Sequence, residues 1–202
     1  MSKHTTSIIK QTKFKNKYRT TSIRLKNWNY ATRGYYFITI CTKNRKCYFG
    51  NILDKKMQLS KIGKIANAYW QEIPEHFPFT TLDKFIVMPN HIHGIVIINN
   101  NVETQNLANN VNNVETQNLA SLRQNKGNKF GPQSQNLASI IRGLKIGVKK
   151  WATINNIPFQ WQPRFYDHIV RNERSLHQIR QYIVDNPSNW ENDRDNLENL
   201  YI

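Results

Sequence analysis

The sequence predicts an α+β sandwich of the ferredoxin-like type, an antiparallel sheet with packed helices, on three observations. Runs dense in aromatic and β-branched residues, the signature of strands, stand at 35–42, 85–88, 91–98 and 159–170. Apolar residues recur at helical spacing in 60–73, from Leu137 onward, and in 173–185. The order strand, helix, strand, strand, helix, strand, helix places two helices between antiparallel-compatible strands, which suits that sandwich.

Residues 1–34 are weakly patterned and basic, with Lys10, Lys13, Lys15, Lys17, Arg19 and Arg24 interleaved with Phe14, Tyr18 and Trp28; they predict an arm that orders on a ligand. Gly34 precedes a buried strand over 35–42. In 60–73, Ile62, Ile65, Tyr69, Trp70 and Ile73 form one helical face, and Pro74 is expected to close it. Pro89 and Asn90 make a tight turn between the strands at 85–88 and 91–98. The following stretch, 99–135, repeats itself: NVETQNLA at 101–108 recurs letter for letter at 113–120, and QNLAS at 117–121 recurs at 135–139. A duplicated, polar surface insertion accounts for it. Beyond it, Leu137, Ile140, Ile141, Leu144, Val148 and Trp151 form the apolar face of a helix whose other face carries Arg142, Lys145 and Lys149. An aromatic-rich strand over 159–170 and a helix over 173–185, ended by Pro187, complete one domain at 35–190, with an acidic tail at 191–202.

Lysine and arginine number 29 against 13 aspartates and glutamates, a formal charge of +16, which favours a polyanionic partner, nucleic acid first. The charge is uneven: residues 1–50 hold twelve basic side chains and no acid, whereas 183–202 hold five acids and one arginine. Cys41 and Cys47, the two cysteines, make neither a disulfide framework nor a four-cysteine zinc site. No apolar run has the length of a membrane span or a secretion signal, so a cytoplasmic protein is expected.

The most pointed local feature is His91-Ile92-His93. Residues two apart on a strand project from one face, so the imidazoles stand side by side as half of a metal site; equally, paired histidines on a strand serve as hydrogen-bonding core residues. Oxygen ligands completing the site, DNA phosphate among them, point to magnesium or manganese. Tyr182 and Asn186, four apart, share a face of the last helix if the helix continues that far. A hydroxyl and an amide oxygen then flank one ion, although a tyrosine beside Leu176, Ile179 and Ile183 more commonly belongs to a core. The Arg142, Lys145, Lys149 stripe fits a phosphate backbone and a solvated outer face equally well.

Three separated motifs carry a resemblance: FIVMPNHIHG at 85–94, WQPRFYDH at 161–168 and QYIVDNP at 181–187. Together, in this order, they resemble the REP-associated tyrosine transposases, within the HUH superfamily of single-strand DNA transposases and nucleases, over about residues 29–190 apart from the insertion. The resemblance implies an HUH endonuclease fold in which His91 and His93 hold a divalent cation, Mg2+ or Mn2+, with Asn186 as a further ligand. It implies Tyr182 as the nucleophile on a DNA phosphodiester, leaving a 5′-phosphotyrosine and a free 3′-hydroxyl. The expected partner is single-stranded or hairpin DNA in a bacterial nucleoid, and the expected state a monomer or homodimer. His168 is the first candidate to take the tyrosine proton. Arg142, Lys145, Lys149, Arg164 and His168 are candidate DNA contacts, and Trp28, Tyr30 and Tyr166 candidate stacking platforms for unpaired bases. A replication initiator or relaxase-like nuclease, or a catalytically idle nucleic-acid-binding protein, would share these motifs.

Overall fold

The computed structural model describes residues 28–99 and 135–193, together with Lys13–Phe14, Tyr18–Arg19 and Leu25. Most of the basic arm, residues 100–134 of the insertion and the acidic tail beyond Asp193 lie outside the described residues. Strands β1 (Lys13–Phe14) and β2 (Tyr18–Arg19) pair antiparallel.

The domain begins with β3 (Gly34–Cys41), whose central residues are buried because both of its neighbours and both sheet faces are covered. A hairpin of β4 (Gly50–Leu53) and β5 (Lys56–Leu59) follows, turned by Asp54 and Lys55, both with positive φ (49° and 59°), as a tight two-residue turn requires. Ser60 caps α1 (Lys61–Gln71) by accepting from the Gly63 amide at 3.1 Å. Pro74 does not close this helix. It sits in the first turn of α2 (Ile73–His76), where its missing N–H leaves no bond unmade.

Next come β6 (Thr80–Val87), β7 (His91–Ile98), α3 (Leu137–Ile154), β8 (Tyr166–Val170) and α4 (Glu173–Asp185). Strand β6 starts well before 85, since its first half, with Asp83 and Lys84, lacks an apolar run and carries a register irregularity between Leu82 and Phe85. Strand β8 is shorter than the expected 159–170: Phe159 to Phe165 form an irregular wall, tied to β3's end by an isolated Thr42–Trp161 bridge. The helix at 173–185 stops as an α-helix where Pro187 requires, yet the chain continues as a 3-10 helix over Asn186–Asn192.

The four-stranded sheet has the order β6-β7-β3-β8, antiparallel throughout, with α1 and α3 as crossovers: the ferredoxin-like arrangement. Alternation assigns the two faces. Tyr36, Ile38, Ile40, Ile92, Val96 and Ile98 pack toward α1 and α3, whereas Phe37, Ile95 and Val170 pack with Leu176 and Ile183 of α4. Trp28 and Tyr30 belong to the first core, not to an exposed stacking surface; the Trp28 indole donates to the Tyr36 hydroxyl at 3.2 Å. Trp70 lies over β7 because Gly94 has no side chain there. Among the described residues no helix is long and apolar enough to cross a membrane.

Helix α4 is fixed to the sheet by Arg180, whose guanidinium grips the Asp83 carboxylate at 2.6 and 2.9 Å. Burial works against ionisation of Asp83, but the Arg180 hydrogen bonds, aided by Lys84, outweigh it and hold the carboxyl below its usual range. A depressed carboxyl contributes stability above its unfolded value, near 3.9, that is lost as pH falls through the folded value. Asp83→Asn should therefore flatten the loss of stability below about pH 4, measured by urea unfolding across that range. Gly94→Ala should destabilise the domain by about 1–3 kcal/mol through overpacking. Its Cβ would come within 2.2 Å of Trp70 Cζ2 and 2.9 Å of Phe85 Cβ, and denaturant unfolding measures the cost.

Candidate active site

The α4 face of β7 presents His91 and His93, which are 0% and 1% exposed. Burial of an imidazole is costly unless its ring nitrogens are satisfied. Nδ1 of His91 lies 2.8 Å from Asn90 Oδ1, and the Asn90 amide in turn donates to the Arg45 carbonyl at 2.9 Å. Nδ1 of His93 lies 2.9 Å from Thr39 Oγ1, the residue paired with it across β3 and β7. With both Nδ1 atoms engaged, both rings are fixed in orientation by partners on the sheet side. The two rings stand 4.3 Å apart between centroids, and Phe37 stacks on His93 at 5.4 Å.

Helix α4 brings Tyr182 to this pair. Its hydroxyl lies 3.2 Å from His93 Nε2, and its ring meets Phe37 edge-on at 6.1 Å. Tyr182 is 42% exposed, so it is not a core tyrosine, although Leu176 and Ile183 of the same helix are buried. One turn on, Asn186 holds helical geometry (φ −54°, ψ −43°) despite the proline after it, because the chain passes straight into the 3-10 helix. Its side chain is 2% exposed and its Oδ1 has no hydrogen-bond partner among the described residues.

The 3-10 helix then returns the chain to the histidines. Trp190 comes 6.1 Å from the His91 ring, and Asp193 offers a carboxylate oxygen within 4.8 Å of the histidine ring nitrogens. Asp193 was not legible as a site residue: in sequence it is one acid of an acidic tail. A cavity of about 540 Å³ is lined by Phe37, Tyr166, Tyr182, Asn186, Asn189, Asn192 and Asp193. Two imidazole nitrogens and a carboxylate oxygen make a mixed nitrogen and oxygen cluster without sulfur, of a kind suited to a borderline or hard divalent cation.

The other sequence candidates lie elsewhere. Arg142, Lys145, Lys149 and Arg164 line a separate groove on the α3 side of the sheet. Lys145 Nζ donates to the Gln162 and Arg164 carbonyls at 2.7 and 2.8 Å, and Lys149 Nζ to the Phe159 carbonyl at 2.8 Å, so these two lysines brace the 159–164 wall. Burial pushes the Lys145 ammonium below its usual value. His168 is exposed on the edge strand β8 and lines neither cavity; the imidazole on the Tyr182 hydroxyl is His93. Tyr166 is 49% exposed and shares the cavity with Tyr182.

A Haemophilus influenzae protein, itself uncharacterized, is 42% identical over 175 residues, covering 86% of this chain and 91% of the relative. The chain belongs to that protein's family. No protein-family model matches the chain. Among solved structures, a REP-associated tyrosine transposase bound to a REP hairpin superposes with a TM-score of 0.53 at 17% identity, covering 83% of this chain and 74% of that one. The two share a fold, the α+β arrangement of antiparallel sheet and packed helices that the residue pattern led one to expect.

Thr39 orients His93 without reaching the cavity. Thr39→Val should weaken divalent-cation binding at this cluster about ten-fold, as loss of a ligand's outer hydrogen bond does, with little change in melting temperature; titration calorimetry measures it.

Proposed function

We propose that this chain is a single-stranded-DNA endonuclease and strand transferase, a transposase that cuts beside DNA hairpins through a 5′-phosphotyrosine on Tyr182. The observation that carries the proposal is the half-exposed Tyr182 hydroxyl set 3.2 Å from Nε2 of a buried histidine pair. A formal charge of +16 and the shared fold with a transposase solved on a REP hairpin support DNA as the substrate.

The donor set fits a resident divalent cation, Mg2+ or Mn2+, because a buried amide oxygen without a partner costs about 1–3 kcal/mol unless something binds it. Asn186 Oδ1 is such an oxygen, on a residue that lines the same cavity as Asp193 and Tyr182. Bound there, the cation supplies Lewis acidity toward a phosphoryl oxygen of the DNA. Burial holds both imidazoles rigidly, so their geometry is set before substrate arrives. The Tyr182 oxygen forms a bond to phosphorus while the bond from phosphorus to the 3′ oxygen breaks. Tyrosine's proton passes to water in the open cavity, and the departing 3′ oxygen takes up a proton to become a hydroxyl. Phosphorus stays linked to the 5′ oxygen of the downstream fragment and to Tyr182, so an incoming 3′-hydroxyl can reverse the step without ATP.

Incubation of the full chain with a labelled hairpin bearing single-stranded flanks and Mg2+ or Mn2+ should give a cleaved strand and a protein–DNA adduct that survives denaturing electrophoresis. Tyr182→Phe, His93→Ala and excess EDTA should each abolish the adduct while DNA binding persists. Phe deletes one oxygen and at most a hydrogen bond of about 0.5–1.5 kcal/mol, so the variant stays folded. Asn186→Ala and Asp193→Asn should each raise the metal concentration needed for half-maximal cleavage about ten-fold or more. DNA binding without an adduct under either metal would contradict the proposal and leave a nucleic-acid-binding protein without catalysis.

A further inference from the structure

A second cavity, of about 600 Å³, lies on the opposite face of the sheet from Tyr182, between the outer face of α3 and the 161–165 wall. Its lining combines two properties. Arg142, Lys145, Lys149, Lys150 and Arg164 make it cationic, and no acidic side chain lines it. Trp161, Phe165 and Ile146 make its floor apolar, with Ile146 58% exposed. A cation-rimmed aromatic groove of nucleotide size is the chemistry of an unpaired base and its flanking phosphates.

The aromatic floor is rigid. The Trp161 indole donates to the Lys145 carbonyl at 3.0 Å and packs on Phe49 and Phe159, with centroids 5.4 and 4.9 Å away. Lys145 and Lys149 spend their ammonium groups on the wall's carbonyls, which holds Arg164 in a left-handed conformation (φ 66°). This leaves Arg142, Lys150 and Arg164 as the cations offered to a ligand.

The groove is also connected to the active site. Phe165 lines the groove and Tyr166, the next residue, lines the Tyr182 cavity. Their side chains lie on opposite faces because β8 begins there, and β8 is the edge strand of the sheet. The two cavities therefore meet the same sheet edge from opposite faces.

We infer that the α3 groove binds an unpaired nucleotide of the DNA strand being cut, its base on Trp161, Phe165 and Ile146 and its neighbouring phosphates on Arg142, Lys150 and Arg164, the strand bending around β8 to reach Tyr182. The inference rests on the single-strand DNA reading above and adds where the strand is gripped. Duplex DNA, with its bases stacked inside, offers nothing to the apolar floor.

The test uses the full chain carrying Tyr182→Phe, so that nothing is cut, and measures binding of fluorescent oligothymidylate and of a blunt duplex by anisotropy over a range of salt. Phe165→Leu, which keeps apolar volume but removes the stacking face, should weaken oligothymidylate binding about five-fold or more and leave duplex binding unchanged. Arg142→Gln and Arg164→Gln should each lower the salt slope for oligothymidylate by about one. Ile146→Glu, at an exposed helix position, should weaken oligothymidylate more than duplex. Wild-type oligothymidylate affinity in both Phe165→Leu and Ile146→Glu would overturn the inference, as would equal losses for oligothymidylate and duplex. If these variants behave as expected while wild type forms no tyrosine adduct on any DNA, the groove stands and the catalytic proposal falls.

Discussion

Two imidazoles buried on a central strand set the terms for everything around them. His91 and His93 share one face of β7, and neither has access to water through the sheet, so each ring needs a fixed partner for Nδ1. Asn90 and Thr39 provide them, one from the turn before the strand and one from the neighbouring strand. The same hydrogen bonds that make burial tolerable also fix the orientation of both rings. The opposite face of the strand obeys a complementary constraint: Gly94 lets the Trp70 ring lie against the backbone, where any side chain would collide. The packing of Trp70 on one side of β7 and the candidate site on the other therefore come from alternating positions of a single eight-residue segment.

What turns this buried pair into a site is the docking of α4. Its apolar residues Leu176 and Ile183 close over Phe37, Ile95 and Val170, and the Arg180–Asp83 grip fixes its rotation against β6. That leaves Tyr182 between the apolar seam and solvent, with its ring against Phe37 and its hydroxyl on His93. The continuation through Asn186 and Pro187 into a 3-10 helix carries Asp193 back to the same point. A proline immediately after the α-helix thus serves to turn the chain around the site.

The parts of this that were legible in the sequence are those governed by short-range periodicity. The period-two spacing of His91 and His93, and the helical phase of α3 and α4, transfer directly from residue pattern to geometry. The β4–β5 hairpin was not legible because Asp54 and Lys55 form its turn without glycine, and Lys is a poor marker of positive φ. The first half of β6 was hidden by Asp83 and Lys84, which belong to an irregular register and a cross-element ion pair. Asp193 could not be picked from the acids around it, since its position depends on the path of the chain after Pro187. The basic stripe of α3 shows the opposite problem: the sequence marks Lys145 and Lys149 as cations, and only the fold shows them bound to carbonyls of the wall they support.

Two tyrosines, Tyr182 and Tyr166, open on the same cavity with comparable exposure, and only the first has its hydroxyl on His93. Mass-spectrometric mapping of the peptide that carries DNA after reaction distinguishes them most directly. The account predicts a single nucleotide-bearing peptide in which Tyr182 is linked through phosphate to the 5′ end of the cut strand. A nucleotide on Tyr166, or on a peptide that contains neither tyrosine, would contradict it.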